Sequence, residues 1–185
     1  MFNNTRLKIG HRKLRKQLAT FSREKKVYNL TTARRVAILF YAENEKVFQQ
    51  VTDFGKFLEN LNLRVEIVAY TPEKEIPTPF QNNSKVKVFT CKDINWIGKP
   101  LPDFVNAFMA KDFDILIDLS TQEIFPLQWV ASLSKAKFKV GNLAYSNTPN
   151  DLIINIKPDS DLTYLITQTK HYLNLINNRF AETEG

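Results

Sequence analysis

FDILIDL, Phe113 to Leu119, is the stretch whose reading decides the fold. Its centre, Ile115-Leu116-Ile117, does not alternate with polar residues, so both sides of the segment seek burial. A parallel sheet covered by helices on both faces gives a strand that environment. RVAILFY, Arg35 to Tyr41, has the same character near the start of the body. Two such strands, far apart in the chain and separated by helical patterns, argue for an α/β architecture.

Working outward, strands alternate with helices on both sides of this segment. Asn44 suits the N-cap of a helix in which Val47, Val51, Phe54, Phe57, Leu58 and Leu61 recur at helical spacing. Leu63 to Tyr70 reads as a second strand. The Pro-rich stretch 71–84 reads as a loop, and it leaves the strand order around it open. Lys85 to Thr90 reads as a third strand. Pro102 opens a short helix through Phe104, Val105 and Phe108. Beyond FDILIDL, the spacing predicts a helix over Ile124 to Leu133 that tolerates Pro126 only in its first turn. A strand over Ala136 to Val140, a loop to Asn150 and a strand over Leu152 to Ile156 follow. A terminal helix is expected to start at Pro158 with Asp159 or Ser160. The whole reads as a three-layer, Rossmann-like domain with a mainly parallel sheet of about six strands. It spans 35–180, with a basic arm at 1–34 and a disordered tail at 181–185.

Charge separates the arm from the body. Up to Arg35 there are eleven basic residues (Arg6, Lys8, Arg12, Lys13, Arg15, Lys16, Arg23, Lys25, Lys26, Arg34, Arg35) against one acid, Glu24. The rest of the chain is mildly acidic, so the net charge of +7 belongs to the arm. A basic arm on an acidic body points to a polyanion or an anionic surface as partner. Residues 5 to 27 read as one basic helix with Leu7, Leu14, Leu18 and Phe21 on a single stripe, and Gly10 shifts its expected start toward His11. The stripe can dock on the body while the basic face stays outward.

Other classes are excluded or disfavoured. The single cysteine, Cys91, rules out an intrachain disulfide and a cysteine-based zinc site, which fits a cytoplasmic location. No apolar run approaches the ~20 residues that span a bilayer. The start lacks a secretory apolar region, although its Arg-rich composition resembles a transit peptide. Lipidation has no signal.

FDILIDLS (Phe113 to Ser120), PLQWVASLSKAKFKVG (Pro126 to Gly141) and the closing DLTYLITQTKHYLNLINN together resemble an uncharacterised Bacteroidota α/β family, a domain of unknown function. The resemblance covers most of the body and implies a fold, not an activity. The order of FDILIDL, helix, small-residue turn, basic strand and Val-Gly is also similar to the N-terminal half of heptosyltransferase-like glycosyltransferases. That second resemblance implies a domain whose nucleotide-sugar half would have to come from elsewhere.

Ligands of open parallel sheets lie at the carboxyl ends of the strands. After the first strand, Ala42-Glu43-Asn44-Glu45 contains no glycine, so a dinucleotide fingerprint is absent, and so is a phosphate-cradling Walker loop. After the fourth strand stand Asp118, Ser120, Thr121 and Glu123. Ser120 or Thr121 can cap the next helix, with Glu123 at its positive end. Asp118, inside the strand, is the one candidate for catalysis or ligand binding. His11 and His171 have no partner at triad or metal spacing and read as surface residues, and Cys91 reads as inert. No cofactor and no metal is expected.

Lys135, Lys137 and Lys139 fall on one side of a strand, opposite Ala136, Phe138 and Val140. Three like charges cannot be buried together cheaply, so this strand is expected at an edge or with one face in water. The lysines then serve to discourage edge pairing, or form a second basic patch. Aromatics near the arm are few (Phe2, Phe21, Tyr28), which gives little support to a base-stacking platform. The expected function is non-enzymatic: a binding or adaptor protein whose arm engages RNA, on the ribosome or elsewhere, or another polyanion. The alternatives are a glycosyltransferase-like domain for a nucleotide sugar or small phosphorylated ligand, degenerate or partner-dependent, and a protein-interaction module with the arm docked on its own body.

Overall fold

The computed structural model describes residues 4–142, 148–156 and 161–176. Six parallel strands form one sheet in the order β3-β2-β1-β4-β5-β6. They are β1 (Arg35–Tyr41), β2 (Arg64–Tyr70), β3 (Val86–Phe89), β4 (Ile115–Asp118), β5 (Phe138–Gly141) and β6 (Leu152–Ile153). The helices are α1 (Asn4–Leu18), α2 (Glu45–Asn60), α3 (Thr78–Gln81), α4 (Asp103–Ala110), α5 (Phe125–Leu133) and α6 (Leu162–Leu175). The order around the Pro-rich loop, open in the sequence, is settled by β3 pairing with β2, and within that loop lies the one-turn α3.

Both faces of the sheet are covered, as the unbroken apolar strands require. Ile38, Phe40, Ile115, Ile117 and Val140 point into a core closed by α2 and α6, through Phe48, Val51, Phe54, Leu165 and Leu173. Ala37, Leu39, Val68 and Leu116 point the other way, against α4 and α5. Asn44 caps α2 as expected: its Oδ1 accepts from the Val47 N–H at 2.9 Å. Asp114, at the start of the FDILIDL segment, accepts the backbone N–H groups of Arg34 and Arg35 through Oδ2, at 2.7 and 2.8 Å. That carboxylate ties the end of the arm to the centre of the sheet.

Four local expectations fail for physical reasons. The arm helix starts at Asn4 and runs through Gly10, because a glycine is required there: a Cβ would stand 2.6 Å from the Ile97 carbonyl oxygen and 2.8 Å from the Phe125 ring. The same helix ends at Leu18, not near residue 27. Beyond it the chain is extended past the start of β5, where the Lys26 N–H donates to Lys137 O at 3.2 Å. The last strand is two residues long instead of five, since its partner β5 ends at Gly141 and offers no ladder beyond Ile153. Finally, α5 begins at Phe125 with Ile124 as an N-cap without a side-chain bond, so neither Ser120 nor Thr121 caps it. The expected helix start at Pro158 to Ser160, the tail at 181–185 and Phe2 lie outside the described residues. No helix among the described residues is long and apolar enough to cross a membrane.

Candidate functional site

The outward face of α1 carries a cluster of exposed cations. Leu14 is buried and Leu7 and Leu18 are half-buried against the α4–α5 side of the core, so the apolar stripe is consumed by docking. His11 stands edge-on to Phe125 with ring centroids 4.6 Å apart. It is half-buried rather than a free surface residue, and burial lowers its pKa while Glu123 opposes that. Turned outward are Lys8, Arg12, Lys13, Arg15 and Lys16, all exposed. Among the described residues none of these five forms an ion pair, and α1 contains no acidic residue. Arg6 donates from Nε to Trp96 O at 2.7 Å.

The remaining arm residues separate by role. Arg23 is a structural anchor: its side chain is 7% exposed, and it donates to both Asp151 carboxylate oxygens at 2.7 and 2.6 Å and to Lys137 O at 2.7 Å. Lys25 joins the same carboxylate at 3.4 Å, and Lys26 lies 5.8 Å over the Tyr28 ring. Arg34 and Arg35 are exposed at the amino edge of the sheet, at the start of β1.

The three lysines near β5 do not share a wet face. Lys135 is exposed before the strand begins, and Lys137 pairs with Glu24 at 3.1 Å. Lys139 is 1% exposed, although buried lysines were not expected. Its Nζ donates to Ala131 O and Ser132 O at 2.8 and 3.1 Å and lies 5.6 Å from the Phe21 ring. Those carbonyls belong to the last turn of α5, where helix geometry leaves acceptors without donors and favours positive charge. Burial, and then Arg23, lower the Lys139 pKa to about 7, with Asp151 opposing. The strand is not an edge: β4 and β6 flank it.

At the carboxyl edge, β1 and β4 are neighbours whose helical connections leave on opposite faces, the switch point where ligands of such sheets gather. Asp118 ends β4 there, 2% exposed. Its Oδ1 accepts the Ser120 N–H at 3.0 Å, whereas Oδ2 and the Ser120 hydroxyl have no hydrogen-bond partner. Burial raises the carboxyl pKa to about 6, and the nearby Ser120 groups pull it back only in part.

An unfolded aspartate titrates near 3.8, so between that pH and about 6 the folded chain keeps a proton that the unfolded chain has lost. Stability therefore falls as pH rises through this window, and above it Asp118 costs about 3 kcal/mol. Asp118→Asn is expected to flatten this dependence and to stabilise the protein by about 1–3 kcal/mol at pH 8, measured by urea unfolding at acid and alkaline pH. Lower stability at pH 8 would show that the ionised carboxylate has a bonded role.

Two hollows flank the carboxyl edge. One, of about 410 Å³, is lined by Arg6, Tyr70, Pro72, Cys91, Ile94, Asn95 and Trp96. Trp96 is 58% exposed and is the aromatic that the sequence reading missed, because ninety positions separate it from the arginine it meets. Burial raises the Tyr70 pKa to about 12, so its phenol keeps its proton, and Arg6 supplies the positive charge of this hollow. The other hollow, of about 630 Å³, carries Glu43, Glu45, Glu73 and Glu75 with Lys74. Among the described residues no group of three His, Cys, Asp or Glu side chains is placed to hold a metal ion. Asp118 and Ser120 belong to neither hollow.

No curated protein matches this chain. Residues 6–176, from the basic helix through the last described helix, match a family model, and on that match the chain belongs to the Family of unknown function (DUF6913).

Proposed function

We propose that this protein is a non-enzymatic binding or adaptor protein of the cytoplasm. It engages a polyanion through the outward face of α1, and RNA, including the RNA of the ribosome, is the partner chemistry that fits best. One observation carries the reading: five exposed cations on a single helix lack any described carboxylate partner, while the body beneath them is mildly acidic. Phosphate backbones ask only for Lys and Arg, without stacking rings or a deep pocket. A lipid surface fits less well, since a basic helix needs a free apolar side to insert and the stripe of α1 already packs on the body. Reversing Arg12, Lys13, Arg15 and Lys16 to Glu is expected to strip RNA from the protein purified from native cells, judged by the ultraviolet absorbance ratio, with an unchanged circular dichroism spectrum. Equal RNA retention by the folded variant would refute the reading.

A second reading rests on Asp118. Its buried Oδ2 has no hydrogen-bond partner, and neither does the hydroxyl of Ser120 two residues on, at the switch point of the strand order. Such an arrangement suits a general base, or a ligand hydroxyl, in a partner-dependent domain for a nucleotide sugar or small phosphorylated ligand. This reading expects nucleotide sugars to raise the melting temperature of wild type and not of Asp118→Asn. A hundredfold excess over Kd corresponds to about 2.7 kcal/mol, which a thermal scan resolves. The α1 reading expects RNA alone to raise the melting temperature, in wild type and in Asp118→Asn alike.

A further inference from the structure

A parallel sheet gathers every strand start at one edge, and here basic residues stand at the starts of β1 to β5, with Asp114 before β4 and Asp151 before β6 as acids on the same edge. Lys85 precedes β3, Arg64 opens β2, Arg34 precedes and Arg35 opens β1, Lys111 precedes β4, and Lys135 and Lys137 precede β5. Most of the lysines are neutralised locally: Lys85 pairs with Glu59 at 2.6 Å, Lys111 with Glu66 at 2.7 Å, and Lys137 with Glu24 at 3.1 Å.

The arginines are not neutralised. Arg35 and Arg64 are direct register partners on adjacent strands, so two like charges start side by side. Opposed like charges destabilise a strand pair. Arg34 joins them, its carbonyl accepting the Arg64 N–H at 2.9 Å. Asp114 reaches this corner, but its Oδ2 binds the backbone N–H groups of Arg34 and Arg35 and forms no ion pair with a guanidinium. Among the described residues the three arginines have no carboxylate partner. Together with Asn62 they line a hollow of about 490 Å³.

We propose that Arg34, Arg35 and Arg64 hold a phosphate group in this hollow. Guanidinium forks match phosphate oxygens two at a time, and a tetrahedral dianion accepts forks from several directions where a planar carboxylate suits one. A phosphate would also relieve the register clash of Arg35 and Arg64. The site lies at the amino edge of the sheet, at the other end of the strands from the Asp118 switch point, and it does not depend on either functional reading. Arg64 is the residue that composition could not single out, because it stands alone in sequence and meets the other two only through strand pairing.

The phosphate can belong to a free small molecule or to a nucleic-acid backbone, and the test separates the two sources. Inorganic pyrophosphate is titrated by calorimetry into wild type, Arg35→Gln/Arg64→Gln and the α1 charge-reversal variant, and a short RNA hairpin is titrated into the same proteins across salt. A free phosphorylated ligand gives saturable pyrophosphate binding that is at least tenfold weaker in the double variant and unchanged in the α1 variant. A backbone phosphate instead lowers the RNA log–log salt slope of the double variant by about 2, one for each arginine lost. The double variant is expected to melt no lower than wild type, since it removes a like-charge pair, and single Arg64→Gln serves as a milder control. Wild-type behaviour of the folded double variant with both probes would overturn the proposal.

Discussion

Ile115→Asp is expected to abolish folding. Ile115 has no exposed surface and pairs with Val36 on one side and Phe138 on the other. Its side chain enters the core closed by α2 and α6. A carboxylate at that position finds no donor, because strand pairing already uses the backbone groups around it. An uncompensated buried charge costs more than the usual 0.5–3 kcal/mol of a point change, and it approaches the whole stability of about 5–15 kcal/mol of an ordinary domain. Circular dichroism and thermal melting decide the matter: the variant is expected to show no cooperative transition. A wild-type melt would contradict the burial of β4 on both faces.

That strand was legible because its physics is local. A run with apolar residues at every consecutive position has one good solution in an alternating chain, and RVAILFY and FDILIDL both adopted it. The cap at Asn44 was legible for the same reason: acceptor and donor are three residues apart. Legibility fails wherever a distant partner overrides a local pattern. The stripe through Phe21 continues the helical spacing of Leu7, Leu14 and Leu18, yet Arg23 is drawn out of the helix by Asp151, which lies in the body. The lysines at 135, 137 and 139 alternate as surface residues do. Lys139 is nevertheless buried, because the end of α5 supplies two carbonyls that need a donor. The fold was therefore readable from periodicity, whereas the anchor Arg23, the exposed Trp96 and the contribution of Arg64 were not. Each is defined by a contact across a large sequence separation.

Asp151→Ala is expected to be the second most damaging change, at about 3–5 kcal/mol. Asp151 accepts two bonds from one nitrogen of the Arg23 guanidinium and, through Oδ2, the backbone N–H of Lys139 at 2.9 Å. Removing it leaves a largely buried guanidinium without a counter-ion, with only backbone carbonyls as partners. Lys139 loses the carboxylate that supports its charge, so its pKa, already near 7, falls further. Chemical denaturation measures the loss. Arg23→Met/Asp151→Leu, which removes both charges, is expected to recover much of it, since an apolar pair of similar volume is often as stable as a buried ion pair. A loss below about 1 kcal/mol for Asp151→Ala, the range of exposed pairs, would show that Arg23 behaves as a surface arginine. It would then return to the set of residues free to meet a polyanion.

The central claim is that α1 presents unpaired charge to a phosphate backbone, and the salt dependence of RNA binding tests it most directly. The affinity of wild type for a short RNA hairpin, followed by fluorescence anisotropy between about 50 and 200 mM salt, should fall along a log–log line. If Arg12, Lys13, Arg15 and Lys16 each neutralise one phosphate, they contribute a slope of about −3 to −4. The same measurement on the variant with these four residues reversed should lose at least that share of the slope together with the affinity. A salt-independent affinity, or an equal slope in wild type and variant, would contradict the account.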